Sequence, residues 1–199
     1  MAHLGWYSRG YLPHCDAPGA LQAITFRLAD SLPLEVRQRM KREIACYPED
    51  RKVREWRSRI ELWLGTGHGS CLLGKPECAR VVAEAFQFFD KERYDLLAWV
   101  VMPNHVHLVI RQYENWALGG LVQSWKGFTT KKINEICGNT LYEKIWQRGF
   151  WDRFIRDEHH FEATLQYIGN NPVKAGLVSS PSEWPWLRLP GAYELPGRA

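Results

Sequence analysis

Two histidines separated by a single valine, His105-Val106-His107, open a run that is otherwise apolar through Ile110. A Pro103-Asn104 pair divides them from a second apolar run, Trp99 to Met102. The pattern reads as a β-hairpin. A strand sends alternate side chains to opposite faces, so His105 and His107 share one face while Val106 points into the core behind them. Two adjacent imidazoles, neutral near physiological pH, make half of a metal site. Two half-buried strand histidines without a metal would leave the same pattern.

Two further stretches have the residue types for phosphate chemistry. Lys126, Thr130 and Asn134 recur at four-residue spacing with Lys131 nearby, a helix face that suits either a phosphate backbone or bulk solvent. From Ile145 to Arg156, aromatic residues interleave with Arg148, Arg153 and Arg156. Aromatic platforms between guanidinium groups suit unstacked bases, and a packed edge strand has the same composition.

These residues need elements to hold them. Leu21 to Leu28 alternates as a first strand, and Ser31 is placed to cap a helix that begins near Pro33. Helical spacing continues to about Leu64, with a break at Tyr47-Pro48-Glu49-Asp50 and a basic second half. Gly65 to Ser70 is glycine-rich but lacks the Gly-Lys-Ser/Thr ending of a phosphate-cradling loop, so it reads as a turn. An amphipathic helix over 77–91 precedes the strand from Tyr94 to Met102 and the histidine strand. Leu118, Leu121, Val122, Trp125, Phe128, Ile133 and Ile136 mark a helix from Trp116 to Cys137. Asp157 is placed to cap a last helix over about 158–170, which Pro172 is expected to end. Residues 1–20 read as an irregular arm, and Ser179 to Ala199, with its prolines, as an extended tail pinned by Trp184 and Trp186. The order suits α+β architecture with one antiparallel sheet and helices on one face.

Composition sets outer limits. The chain has 199 residues, 45% of them hydrophobic, enough for one domain with a sizeable core. No apolar run approaches the ~20 residues of a membrane span, and the N-terminus lacks a signal-peptide core, so a cytoplasmic protein is expected. Five cysteines without a C-x-x-C pair indicate neither a disulfide framework nor a zinc ribbon. A net charge of +4 tolerates a polyanionic partner without demanding one.

Several stretches together resemble a known family: Asp16-Ala17-Pro18-Gly19, Thr25 to Pro33, Ala98 to His107, Trp146-Gln147-Arg148 and Tyr167 to Val178. They are similar to the REP-associated tyrosine transposases, which belong to the single-tyrosine HUH transposases. The likeness runs from about residue 10 to residue 188. It implies a transposase domain over 1–178 with a tail at 179–199, and a ferredoxin-like or RRM-like sheet. It further implies a divalent metal, Mg²⁺ or Mn²⁺, held by His105 and His107. The implied reaction is cleavage and rejoining of single-stranded DNA beside a REP-like hairpin, through a 5′-phosphotyrosine on Tyr167.

Relatives carry a polar amide or acid one helical turn after the tyrosine, which makes Asn171 the implied third ligand, with Asn170 and Glu162 as alternatives. Gly169 departs from the family, where a histidine is common. Lys126, Lys131, Arg148, Arg153 and Lys174 are the candidate DNA contacts, chosen by charge and location. A monomer is expected over a homodimer. Two other functions use similar residues: a domesticated hairpin-DNA-binding regulator that does not cleave, and a metal-dependent phosphodiesterase that attacks with water.

Overall fold

The computed structural model of the protein describes residues 5–8, 13–138 and 144–191. Its centre is the hairpin of β4 (Tyr94–Val101) and β5 (His105–Gln112), closed by a hydrogen bond from Met102 N to His105 O at 2.9 Å. Val100 stands opposite His107 and Val101 opposite Val106. Strand β3 (Leu21–Arg27) pairs with the other side of β5, and β6 (Trp151–Phe154) extends the sheet beyond it. The five-stranded antiparallel order is β6-β3-β5-β4-β7, where β7 is Leu187–Arg188. The histidine strand is therefore central, with neighbours on both edges.

Alternation divides the sheet into two faces. Val106, Leu108 and Ile110 pack with Ile24, Phe26 and Leu28 under α3 (Pro76–Gln87) and α4 (Leu118–Ile136). Each such fully buried aliphatic side chain contributes about 1.5–3 kcal/mol. The opposite face carries Val100, Met102 and Val109, and α5 (Glu158–Lys174) covers it through Phe161 and Ile168. The α+β class and antiparallel sheet match the sequence reading, but the helices are not confined to one face. α5 takes the histidine side, because β4 and β5 are buried on both of their faces and each face needs a cover.

Local differences have identifiable causes. Pro172 lies inside α5 and does not end it, so the helix gives up one backbone hydrogen bond and continues to Lys174. Ser31 caps nothing: α1 (Leu34–Glu43) starts after Pro33, and the buried Ser31 hydroxyl donates to Leu28 O at 2.8 Å. α2 (Glu49–Gly65) follows the break at Tyr47-Pro48. Asp157 does cap α5, accepting from His160 N at 2.7 Å.

Where an irregular arm is expected, β1 (Gly5–Ser8) and β2 (Pro13–Asp16) pair as a ribbon. Its anchor is the buried Asp16, whose carboxylate accepts from Gln112 Nε2 at 2.6 Å and from Leu118 N at 3.1 Å, at the start of α4. At the other end of the chain, β7 pairs with β4, and Trp184 Nε1 donates to Val101 O at 3.1 Å. Residues 192–199 of the expected tail lie outside the described residues. No helix among the described residues is long and apolar enough to cross a membrane.

Candidate active site

β5 delivers His105 and His107 to the face beneath α5, both almost completely buried, with ring centroids 4.8 Å apart. Each ring is held from behind at Nδ1. Asn104 donates through Nδ2 to the carbonyls of Leu64 at 3.2 Å and His68 at 3.0 Å, so its Oδ1 is the acceptor for His105 Nδ1–H at 2.7 Å. That bond assigns the His105 tautomer and leaves the Nε2 lone pair open. Thr25 Oγ1 lies 2.7 Å from His107 Nδ1 and fixes the second ring.

Burial pushes His105 down to about 4, against the facing Asn171 amide, which favours its protonated form. Burial pushes His107 well below its ordinary value, and the nearby His105 and Arg57 charges act in the same direction. Both imidazoles are therefore neutral at physiological pH.

α5 supplies the facing groups. The Tyr167 hydroxyl lies 3.4 Å from His107 Nε2, with ring centroids 5.1 Å apart. Burial pushes the phenol up to about 12, and the Glu61 carboxylate adds to the rise. Asn171, one turn on, is buried, and its amide opposes that rise in Tyr167. The alternatives Asn170 and Glu162 are exposed. Gly169 is buried, and a Cβ there would meet Leu189 Cδ1 at 3.0 Å. The segment after β7 thus occupies the space that a larger residue at 169 would need.

The five basic candidates separate. Arg153 is exposed on β6 and lines a cleft of about 180 Å³ together with His107 and Tyr167. Lys174 is exposed with its Nζ 5.7 Å from the Tyr167 ring centroid. Arg148 is exposed beside a larger cleft. Lys131 is exposed on α4, in the layer across the sheet from the histidines. Lys126 does not present itself as a phosphate contact: its Nζ donates to Gln147 O at 3.0 Å and to Gly149 O, tying α4 to the loop before β6. Burial, with the Arg27 charge, pushes this ammonium down to about 8.

Sequence reasoning missed four residues of the site: Thr25, Asn104, Arg57 and Glu61. Arg57 pairs with Glu61 at 2.6 Å and lies 3.6 Å over the Trp151 ring. Their i,i+4 spacing on α2 was visible, but it is the same as in any solvated helix pair. Asn104 read as a turn residue, and only its amide contacts reveal that it orients a histidine.

Among the described residues, no group of three His, Cys, Asp or Glu side chains is gathered for a metal. The donors that converge are two neutral imidazoles, each fixed at Nδ1, and the amide of Asn171. The set fits a first-row or hard divalent ion that also takes oxygen ligands from water or substrate. A buried imidazole pair opposed by a helix-borne phenol has the groups for one class of chemistry, covalent catalysis by a tyrosine beside candidate metal ligands.

The comparisons agree with that class. Residues 74–171, from just before α3 to Asn171, match the model of the IS200-like transposase family over about half of the chain. A REP-associated tyrosine transposase of Escherichia coli K12 is 32% identical over 97 residues, which cover 47% of this chain and 53% of that protein. A Haemophilus influenzae protein named for the same group is 31% identical over 103 residues, covering 47% and 57%. The chain thus spans about half the length of the curated relatives it matches. The solved structure of a REP-associated tyrosine transposase bound to a REP hairpin shares the fold, with a TM-score of 0.55 at 21% identity, covering 91% of this chain and 80% of that one.

Proposed function

We propose that the protein is a transposase and single-strand endonuclease that cuts and rejoins DNA beside a REP-like hairpin, with Tyr167 as nucleophile. The observation that carries this reading is the placement of the Tyr167 hydroxyl against the buried His105–His107 pair. The match to the IS200-like transposase family model and the hairpin DNA in the structural relative support it.

In the forward step, Tyr167 Oη bonds to the scissile phosphorus and the bond from phosphorus to the 3′ oxygen breaks. The phenol gives up its proton, and the departing oxygen gains one to become a free 3′ hydroxyl. A 3′ hydroxyl attacking the 5′-phosphotyrosine reverses the step and can join a different strand, so no nucleotide triphosphate is consumed. Burial keeps the phenol protonated before attack, so its proton has to leave as the new bond forms.

His105, His107 and Asn171 would hold Mg²⁺ or Mn²⁺, which supplies charge stabilisation at a nonbridging phosphate oxygen. Arg153 and Lys174, beside Tyr167, would hold the flanking phosphates, with Arg148 and Lys131 further out. We place the transposase unit at residues 1–178, with the segment from 179 completing the sheet edge, and expect it to act as a cytoplasmic monomer.

The test is incubation of the protein with Mg²⁺ or Mn²⁺ and end-labelled single-stranded hairpin DNA, followed by a denaturing gel beside Tyr167→Phe. A protein-linked band absent from the variant supports the reading. Cleavage that persists in the variant indicates a hydrolase, and binding without cleavage indicates a non-cleaving regulator.

A further inference from the structure

Helices α1 and α2 lie outside the segment matched by the family model, and they enclose a cleft of about 690 Å³ against β3 and the loop before β6. That volume holds one or two nucleotides. Its wall carries the half-buried rings of Trp56, Phe150 and Trp151. Arg27 and Arg37 also line it, and among the described residues neither has a carboxylate within ion-pair distance. The cleft's two glutamates, by contrast, are each paired, Glu49 with Lys52 and Glu61 with Arg57. The balance is an excess of positive charge beside aromatic rings.

The cleft adjoins the candidate active site. Arg57 and the Trp151 ring beneath it line both this cleft and the smaller one that contains His107 and Tyr167. A strand attacked at Tyr167 would therefore pass this opening.

We propose that the α1–α2 cleft is a nucleotide subsite, which takes an unpaired nucleotide flanking the scissile position, its base against the aromatic wall and its phosphate at Arg27 and Arg37. The inference rests on the DNA-cleaving reading above. Two guanidinium groups without a counter-charge repel one another in the free protein, and a phosphate offsets that repulsion. Stacking accepts any base, so the subsite holds a single strand without dictating its sequence.

The test compares two hairpin oligonucleotides in binding titrations with the full chain, one blunt and one carrying a four-thymidine single-stranded flank. One thymidine of the flank is replaced by 5-iododeoxyuridine for photocrosslinking. Wild-type protein should favour the flanked hairpin and crosslink within residues 49–65 or 147–151. Arg37→Gln and Trp56→Ala should each weaken the flanked hairpin about tenfold and leave the blunt one within about twofold.

Equal binding of the two hairpins by wild type, or variants that bind the flanked one normally or weaken both alike, would overturn the subsite. A Tyr167 adduct formed alongside any of these results sinks the subsite and leaves the cleavage reading intact. Flank-dependent binding lost in the variants, with no adduct formed by wild type, sinks the cleavage reading and leaves the subsite. Binding of neither hairpin by wild type overturns both.

Discussion

The Tyr167 hydroxyl lies 3.4 Å from His107 Nε2, a contact between α5 and β5 across 60 residues of sequence. It is a long hydrogen bond, so little folding energy depends on it. Tyr167→Phe should keep thermal stability within about 1 kcal/mol of wild type and retain hairpin-DNA binding. Covalent adduct formation should fall below detection. Thermal melts, binding titrations and adduct assays on one preparation check all three.

Asn104 makes a different prediction, because it is buried and uses both ends of its amide. Asn104→Ala removes the donor to two carbonyls and the acceptor that fixes His105. The expected loss is about 2–3 kcal/mol of stability. Affinity for Mn²⁺ should also fall roughly 10–100-fold, since the ring is no longer held in one tautomer. Urea titration and metal-binding calorimetry measure the two effects.

The buried histidines also set a pH dependence of stability. Their values lie below the ordinary 6.5, so as pH falls from about 6.5 towards 4 the unfolded chain takes up protons that the folded one does not. Stability therefore drops with falling pH in that window, by at most about 1.4 kcal/mol per pH unit per histidine. Urea midpoints at pH 5 and pH 7 should differ more for wild type than for the double variant His105→Gln/His107→Gln. Equal differences would show that the histidines do not titrate in this way.

Metal binding gives a prediction that does not pass through DNA. Wild type should bind Mn²⁺, read as loss of the free-ion electron paramagnetic resonance signal, while His107→Ala should abolish the effect. Asn171→Ala should weaken it by less, because an amide oxygen is a weaker donor than an imidazole. Chelation with EDTA should stop cleavage and leave hairpin binding in place.

Much of this arrangement was legible in the sequence, and the limits have physical causes. Alternation along β5 gave the histidine face by a local rule, whereas Tyr167 and Asn171 were singled out by the family resemblance, and i+4 spacing added only that they share a helix face. The pairing of β1 with β2 was hidden because four-residue strands among glycine and proline carry no clear periodicity. Pro172 read as a helix end, yet burial of the α5 face offsets the lost backbone bond. Lys126 looked like a DNA contact because its charge was visible and the carbonyls that occupy it were not. Arg57 and Glu61 were missed for a related reason: a helix pair read from spacing alone does not reveal what stands opposite, and here that is Tyr167.

The most direct test of the central claim is to trap the protein with single-stranded hairpin DNA and Mn²⁺, digest it with protease and nuclease, and locate the nucleotide-bearing peptide by mass spectrometry. A 5′-phosphonucleotide on Tyr167, absent when metal is chelated, is the predicted result. A modification on another residue, or DNA cleavage with no modified peptide, would contradict the assignment of Tyr167 as nucleophile.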